Sequence, residues 1–215
     1  MKIRQKGFTL VEIAIVLVII GLLLGGILKG QEMIVQAKIK NAMADFSGIS
    51  AAYHGYQDRY RKIPGDDDGA ARWAGAPIGN GNGVVEGAYN VLCAAGTTVE
   101  SCLWWQHLRL AGFVAGNGAS QPTNAFAGQL GVQTGNGGAI GAITPVMNGF
   151  ASLLICSANI PDKVAIAIDT SMDDGISSTG GVRAELQTSP NPTIGSTSAA
   201  YAETGTNIYV MCRQI

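Results

Sequence analysis

Charge is the first shortage in this chain. Only 13% of its 215 residues are Asp, Glu, Lys or Arg, against about 25% in typical soluble domains. Basic residues are scarcest where a phosphate-binding surface would need them: residues 64–215 hold five Lys/Arg against eleven Asp/Glu, −6 by count. Such a balance repels phosphate, so no nucleic acid is indicated as a partner. Histidine is nearly missing. His54 and His107 are the only two, and neither has the Cys, His or acidic company that a metal ligand keeps. His54, four residues before Asp58 in a helical pattern, reads as a surface residue, and His107 beside Trp104-Trp105 as a packing or capping residue. The two tryptophans read as core rather than as an exposed binding surface. There is no G-x-S-x-G, no H-E-x-x-H and no P-loop, so no catalytic residue is assigned and no enzyme is expected. Proline is absent before Pro64, which leaves the first 63 positions free of the strongest helix breaker.

That proline-free stretch holds a short basic leader, Lys2-Ile3-Arg4-Gln5-Lys6-Gly7, and then an apolar run over residues 8–28 in which Thr9 and Glu12 are the clearly polar residues. The run matches the roughly 20 residues that cross a hydrocarbon core of about 30 Å. Lys2, Arg4 and Lys6 precede it, so the positive-inside rule keeps the leader in the cytoplasm and exports the rest of the chain. A secretory signal has a shorter apolar core and a small-residue cleavage site after it; here the apolar run passes directly into a second helical pattern. Glu12 is the feature that needs an explanation. An ionisable group in a membrane segment is costly and is by default a functional hypothesis.

Together, the leader ending in Gly7, Phe8, the apolar run and Glu12 resemble the N-terminus of type IV pilins and of type II secretion pseudopilins. That resemblance is strongest over residues 1 to about 35. It implies that a prepilin peptidase cuts between Gly7 and Phe8, that Phe8 becomes N-methylated, and that Glu12 serves assembly. Cleavage at Gly7 creates an α-amino group, and a buried amine and a buried carboxylate are far less costly paired than alone. Glu12 lies about a turn from Phe8 in one helix, and it could equally meet the amine of a neighbouring copy; both geometries stay open. The implied partners are other copies or related pilins in a helical filament, prepilin peptidase, inner-membrane assembly machinery, and lipid before assembly. The implied location is the bacterial inner membrane first, as a single-pass protein, and a periplasmic or extracellular filament afterwards. A pseudopilin of type II secretion and a low-copy tip adhesin or binding subunit are the alternatives. One departure stands out: many type IV pilins have a proline in the membrane helix, whereas Gly21, Gly25 and Gly26 stand in that region here, followed by Lys29.

Past the membrane segment, Val35, Ile39, Met43, Phe46, Ile49, Tyr53, Tyr56, Tyr60 and Ile63 recur at spacings of three and four, the amphipathic helix period. Pro64-Gly65 is the expected stop. The organisation expected is therefore a leader over 1–7, a long helix over 8–62 with its membrane part at 8–28, and an exported globular domain over 63–215. Residues 151–157, 163–169 and 207–213 read as strands, residues 103–113 as a short helix, and residues 176–206 as long loops rich in Gly, Ser, Thr and Pro. The fold class is α+β. The resemblance adds the pilin fold, in which the long helix packs on an antiparallel sheet.

Four cysteines, Cys93, Cys102, Cys156 and Cys212, all lie on the exported side, where disulfides persist. Three pairings are open; Cys93–Cys102, a local loop, and Cys156–Cys212, joining two expected strands, are the ones anticipated. No cofactor is expected unless it is Ca²⁺. Asp66-Asp67-Asp68-Gly69, Asn80-Gly81-Asn82-Gly83 with Glu86, and Asp169, Asp173 and Asp174 with Gly175 all combine hard oxygen ligands with tight turns. None matches a complete calcium-loop pattern, and turn chemistry accounts for the same residues. The group Asp169, Asp173 and Asp174 is the expected location if the ion binds.

Overall fold

The structure is a computed structural model and describes residues 9–215. Helix α1 runs Leu10–Tyr60. A 3₁₀ turn at Ala70–Arg72 comes next, then α2 (Glu100–Leu110), β1 (Leu130–Thr134), β2 (Leu153–Pro161), α3 (Asp162–Met172), β3 (Val182–Leu186) and β4 (Ile208–Gln214). The chain forms two compact units, Met1–Lys38 and Ile39–Ile215.

In the first unit, α1 starts at Leu10 because Thr9 and Glu12 cap it reciprocally. The Thr9 backbone N–H donates to Glu12 Oε2 at 2.8 Å, and the Glu12 N–H donates to Thr9 Oγ1 at 3.3 Å. This is the capping box, in which two of the orphan donors at a helix start are satisfied at once. Leu, Ile and Val then continue the helix all round, with no polar face before Lys29.

In the second unit, α1 buries Ile39, Ala42, Phe46, Ile49, Ala52 and Tyr56. These fall at intervals of three and four, so one stripe faces the core. The helix stops at Tyr60, and Arg61 takes a left-handed φ of 56°, a few residues before Pro64. Gly65, at φ +87°, has its α-carbon so close to the Glu100 carbonyl that no side chain fits; a glycine is needed there to bring the chain against α2.

The sheet is antiparallel in the order β1-β2-β4-β3. Its two faces are both covered. Val132, Ile155, Tyr209, Met211 and Ala184 join the α1 stripe in the larger core. Leu154, Cys156, Val210 and Cys212, the alternate residues, meet Tyr89, Val146, Met147 and Phe150 from the loops in a second core. A shift in register between Ser157 and Ile160 marks an irregularity in β2, where Asn159 has a φ of 64°.

Two sequence-based expectations need correction. Residues 163–169 are helix α3, not a strand. Val164 and Ile168 coincide under a period of two and nearly so under 3.6, and a run this short cannot separate the two periods. The deciding features are local to the fold: Pro161 ends β2 in extended backbone, and Asp162 in the first turn accepts the Thr204 and Gly205 N–H groups at 2.8 and 2.6 Å. Second, the stretch read as long loops contains β3. Strand β1 lies in a stretch for which the sequence carried no assignment. The other strands extend further than expected at their C-terminal ends, and the short helix begins three residues earlier than expected.

Candidate functional site

The first candidate region is the start of the chain. Gly7 and Phe8, the expected cleavage and methylation positions, lie outside the described residues. Glu12 is described, and its carboxylate caps α1: besides the Thr9 N–H, it accepts the Thr9 hydroxyl at 2.7 Å. Sequence reasoning treated Glu12 only as an assembly residue, although the pattern T-x-x-E ahead of an apolar run was there to be read. Within this unit the large apolar side chains from Leu10 to Leu28 are between 46% (Ile20) and 86% (Leu10) exposed. Among the described residues α1 is the helix whose length and composition suit a membrane crossing. A contiguous apolar surface of this kind requires lipid or protein around it.

The second candidate group is Asp169, Asp173 and Asp174. One carboxylate oxygen from each lies within 4.8 Å of the others, at the C-terminal end of α3, where the helix dipole disfavours negative charge. The group is nevertheless engaged. Asp169 is buried and accepts the Tyr201 hydroxyl at 2.6 Å and the Gly175 N–H at 3.2 Å. Asp173 accepts the Val182 N–H at 2.9 Å, and Asp174 accepts the Thr179 hydroxyl at 2.6 Å and the Ile176 N–H at 2.9 Å. Burial raises the Asp169 carboxyl above the usual carboxylate range, while the Thr179 hydrogen bond lowers that of Asp174. Arg183 does not bond to them. Its guanidinium donates to the Met147 and Asn148 carbonyls at 2.8 and 2.7 Å and stands 4.2 Å over the Phe150 ring. The donor set is all oxygen and anionic, which fits a hard cation such as Ca²⁺, and the same atoms already organise the turn from α3 to β3.

The remaining acidic stretches shape the loop between α1 and α2. Asp66 accepts the Asn82 and Gly83 N–H groups at 2.9 and 2.8 Å, and Glu100 accepts those of Asn80 and Glu86, both at 3.0 Å. Burial raises both carboxyls. Asp67 takes the Arg72 guanidinium at 2.7 Å and the Tyr56 hydroxyl at 2.5 Å; burial alone would raise it, but these hydrogen bonds prevail and hold it low. Asp68 pairs with Lys62 at 2.7 Å. His107 is buried between two backbone groups: Nδ1 accepts the Gly65 N–H at 3.0 Å, and Nε2 lies 2.9 Å from the Pro77 carbonyl. That geometry requires the neutral ring with its proton on Nε2, and burial lowers its pKa to match. Trp104 and Trp105 are core residues. His54 is exposed.

The structure joins Cys93 to Cys102 and Cys156 to Cys212. The second pair sits at directly opposed positions of β2 and β4.

Compared with known proteins, residues 2–28 match the family described as the prokaryotic N-terminal methylation motif. The chain carries a prepilin-type methylation motif. The match covers Lys2–Gly7, Phe8 and Glu12, the residues that carry the resemblance to type IV pilins and pseudopilins. No curated protein matches the chain. Among solved structures, the NMR structure of type IVb pilin (PilS) from Salmonella typhi is similar, at 20% identity and a TM-score of 0.26, covering 55% of this chain and 80% of that one.

Proposed function

We propose that the chain is a structural subunit of a type IV pilus-like filament, processed by prepilin peptidase and assembled through α1. The observation that carries this reading is the coincidence of the methylation motif over residues 2–28 with an exposed apolar helix that has one acid at its entrance. Residues 1–7 are removed, Phe8 is methylated, and the helix waits in the inner membrane until it moves into a filament core. The new amine and the Glu12 carboxylate neutralise each other in lipid or in that core. No reaction is assigned to this chain.

The test is intact-mass analysis of protein from a host with an active prepilin peptidase, with recovery of sheared fibres alongside. The expected result is loss of residues 1–7 and one added methyl group; a mature form retaining Met1–Gly7 overturns the reading. Glu12→Ala removes both cap and charge, so Glu12→Gln is the sharper variant, because glutamine keeps a capping-box acceptor. Glu12→Gln is expected to be inserted and cleaved normally and to form few or no filaments. Normal filaments from it would assign Glu12 to capping alone. Abundance then separates the alternatives: a major pilin dominates sheared fibres, and a pseudopilin or tip subunit does not.

A further inference from the structure

Of the fifteen Asp and Glu residues of the chain, fourteen have a hydrogen bond or an ion pair. The exception, among the described residues, is Asp45. It is half-buried on the globular part of α1 and lines an open pocket of about 310 Å³ whose walls include Ile49, Trp105, Phe113, Pro122, Leu130 and the polar Thr123. A half-buried carboxylate with no cation beside it has lost part of its hydration without compensation, and burial raises the Asp45 carboxyl accordingly. The chemistry that suits this pocket is an ammonium or guanidinium on an apolar stem, the stem against the ring walls and the charge on Asp45.

The basic residues have a matching vacancy. Among those described, Lys29, Arg61, Lys62, Arg72 and Lys163 are in ion pairs. Arg59 lies over Tyr60, Arg109 and Arg183 bond to carbonyls, and Lys38 is engaged. Lys40 and Arg213 remain. Arg213 is half-buried on β4, whereas Lys40 is exposed on α1, five positions before Asp45. At 3.6 residues per turn, five positions are about 140° apart around a helix, so the two cannot meet within one chain. They stand on different sides of α1 instead. A surface that offers a cation to one side and an anion in a pocket to the other is heterologous and polymerises head to tail.

We propose that the Asp45 pocket receives the Lys40 side chain of a second copy of this chain, and that this ion pair sets the stagger between adjacent α1 helices. The proposal rests on self-assembly through α1. Parallel helices shifted by five residues, about 7.5 Å, bring Lys40 of one copy level with Asp45 of the next. Pairing Glu12 with a neighbour's Phe8 amine, four positions earlier in the sequence, asks for a shift in the same sense of about 6 Å. The flexible lysine stem spans the difference. The pocket rim permits the approach: Ala44 and Gly48 are exposed, and nothing lies within 4 Å of where a Gly48 side chain would begin.

The test uses the full chain, processed and assembled in its host. Assemblies are treated with a zero-length carbodiimide, which joins a carboxylate to an amine in direct contact. The expected product is a covalent dimer whose linked peptides contain Asp45 and Lys40. Asp45→Lys and Lys40→Asp are each expected to lower the yield of assemblies roughly tenfold, and the double swap to restore it, as for a directly coupled charge pair. Leader cleavage, measured in parallel, reports that each variant is inserted. If wild-type assemblies form but the single variants assemble normally, or the swap fails to rescue and the dimer is linked at other residues, the Asp45–Lys40 contact is overturned while self-assembly stands. If the processed wild-type chain does not self-associate at all, both readings fall.

Discussion

One helix, α1, shows two ways for a sequence to meet its surroundings. From Leu10 to Leu28 the apolar residues go all the way round, and the large ones stand exposed. From Ile39 to Tyr56 they narrow to a stripe that is almost wholly buried. The same helical period serves both parts, so propensity does not distinguish them. The distribution of polar residues does. A stripe needs one covering surface and finds it in the chain's own sheet; an all-round apolar helix needs a covering on every side, which a chain of this size supplies only by entering lipid or by joining many copies.

Two truncations should break this symmetry of composition. Phe46→Ala removes a fully buried ring from the larger core and should cost about 3–5 kcal/mol of domain stability. Leu17→Ala, in the exposed part, should leave domain stability unchanged within about 0.5 kcal/mol and act on assembly alone. Thermal unfolding in detergent, monitored by near-ultraviolet circular dichroism, reads the first effect. A comparable loss from both variants would mean that residues 10–28 belong to the folding unit.

The two disulfides repeat the comparison on the covalent level. Cys156–Cys212 spans 56 positions and lies in the second core, while Cys93–Cys102 spans 9 and ties the half-buried Cys93, in the loop ahead of α2, to the buried Cys102 in the first turn of that helix. In the chain-entropy account, removing the long link costs about 4 kcal/mol and the short one about 2.5. Paired Cys→Ala variants should show that order in denaturant midpoints. Equal losses would mean that the local link holds more than its own loop, through the start of α2 to which Cys102 belongs.

How much of this was legible depended on whether a signal was local. The α1 stripe was, because Phe46, Ile49 and Tyr56 repeat over several turns. The disulfide pairing became readable once two strands were placed, since Cys156 and Cys212 share a face with Leu154 and Val210. Helix α3 was not legible: five residues of alternating Ala, Val and Ile satisfy both periods, and the deciding contacts of Asp162 come from Thr204 and Gly205, more than 40 positions on. Strand β1 hides because Gly131 sits where the Tyr89 carbonyl passes over the strand face, so tertiary approach chose a residue that weakens the strand pattern. Among the candidate site residues, the Asp169 group was visible as a cluster, whereas Asp45 was not visible at all. Its isolation exists only once every other carboxylate has found its partner.

The smallest expected effect concerns that Asp169 group. Three carboxylates with oxygens within 4.8 Å repel each other unless neutralised or bound by donors. Here hydrogen bonds from Tyr201, Thr179 and three backbone N–H groups supply part of that relief, so a cation has less left to stabilise than in an open acidic cluster. An extracellular-type calcium site binds with a dissociation constant of about 10⁻⁴–10⁻³ M. One millimolar Ca²⁺ would then add about 1 kcal/mol by mass action and raise the melting temperature by roughly 2–4 °C for a domain of this size. Asp173→Asn keeps an acceptor for the Val182 N–H but removes a charge, and should abolish the calcium increment while changing the calcium-free melting temperature little. Magnesium, which demands a smaller and more regular shell, should give less. An unchanged melting temperature in millimolar Ca²⁺ would assign all three carboxylates to the turn between α3 and β3 and nothing more.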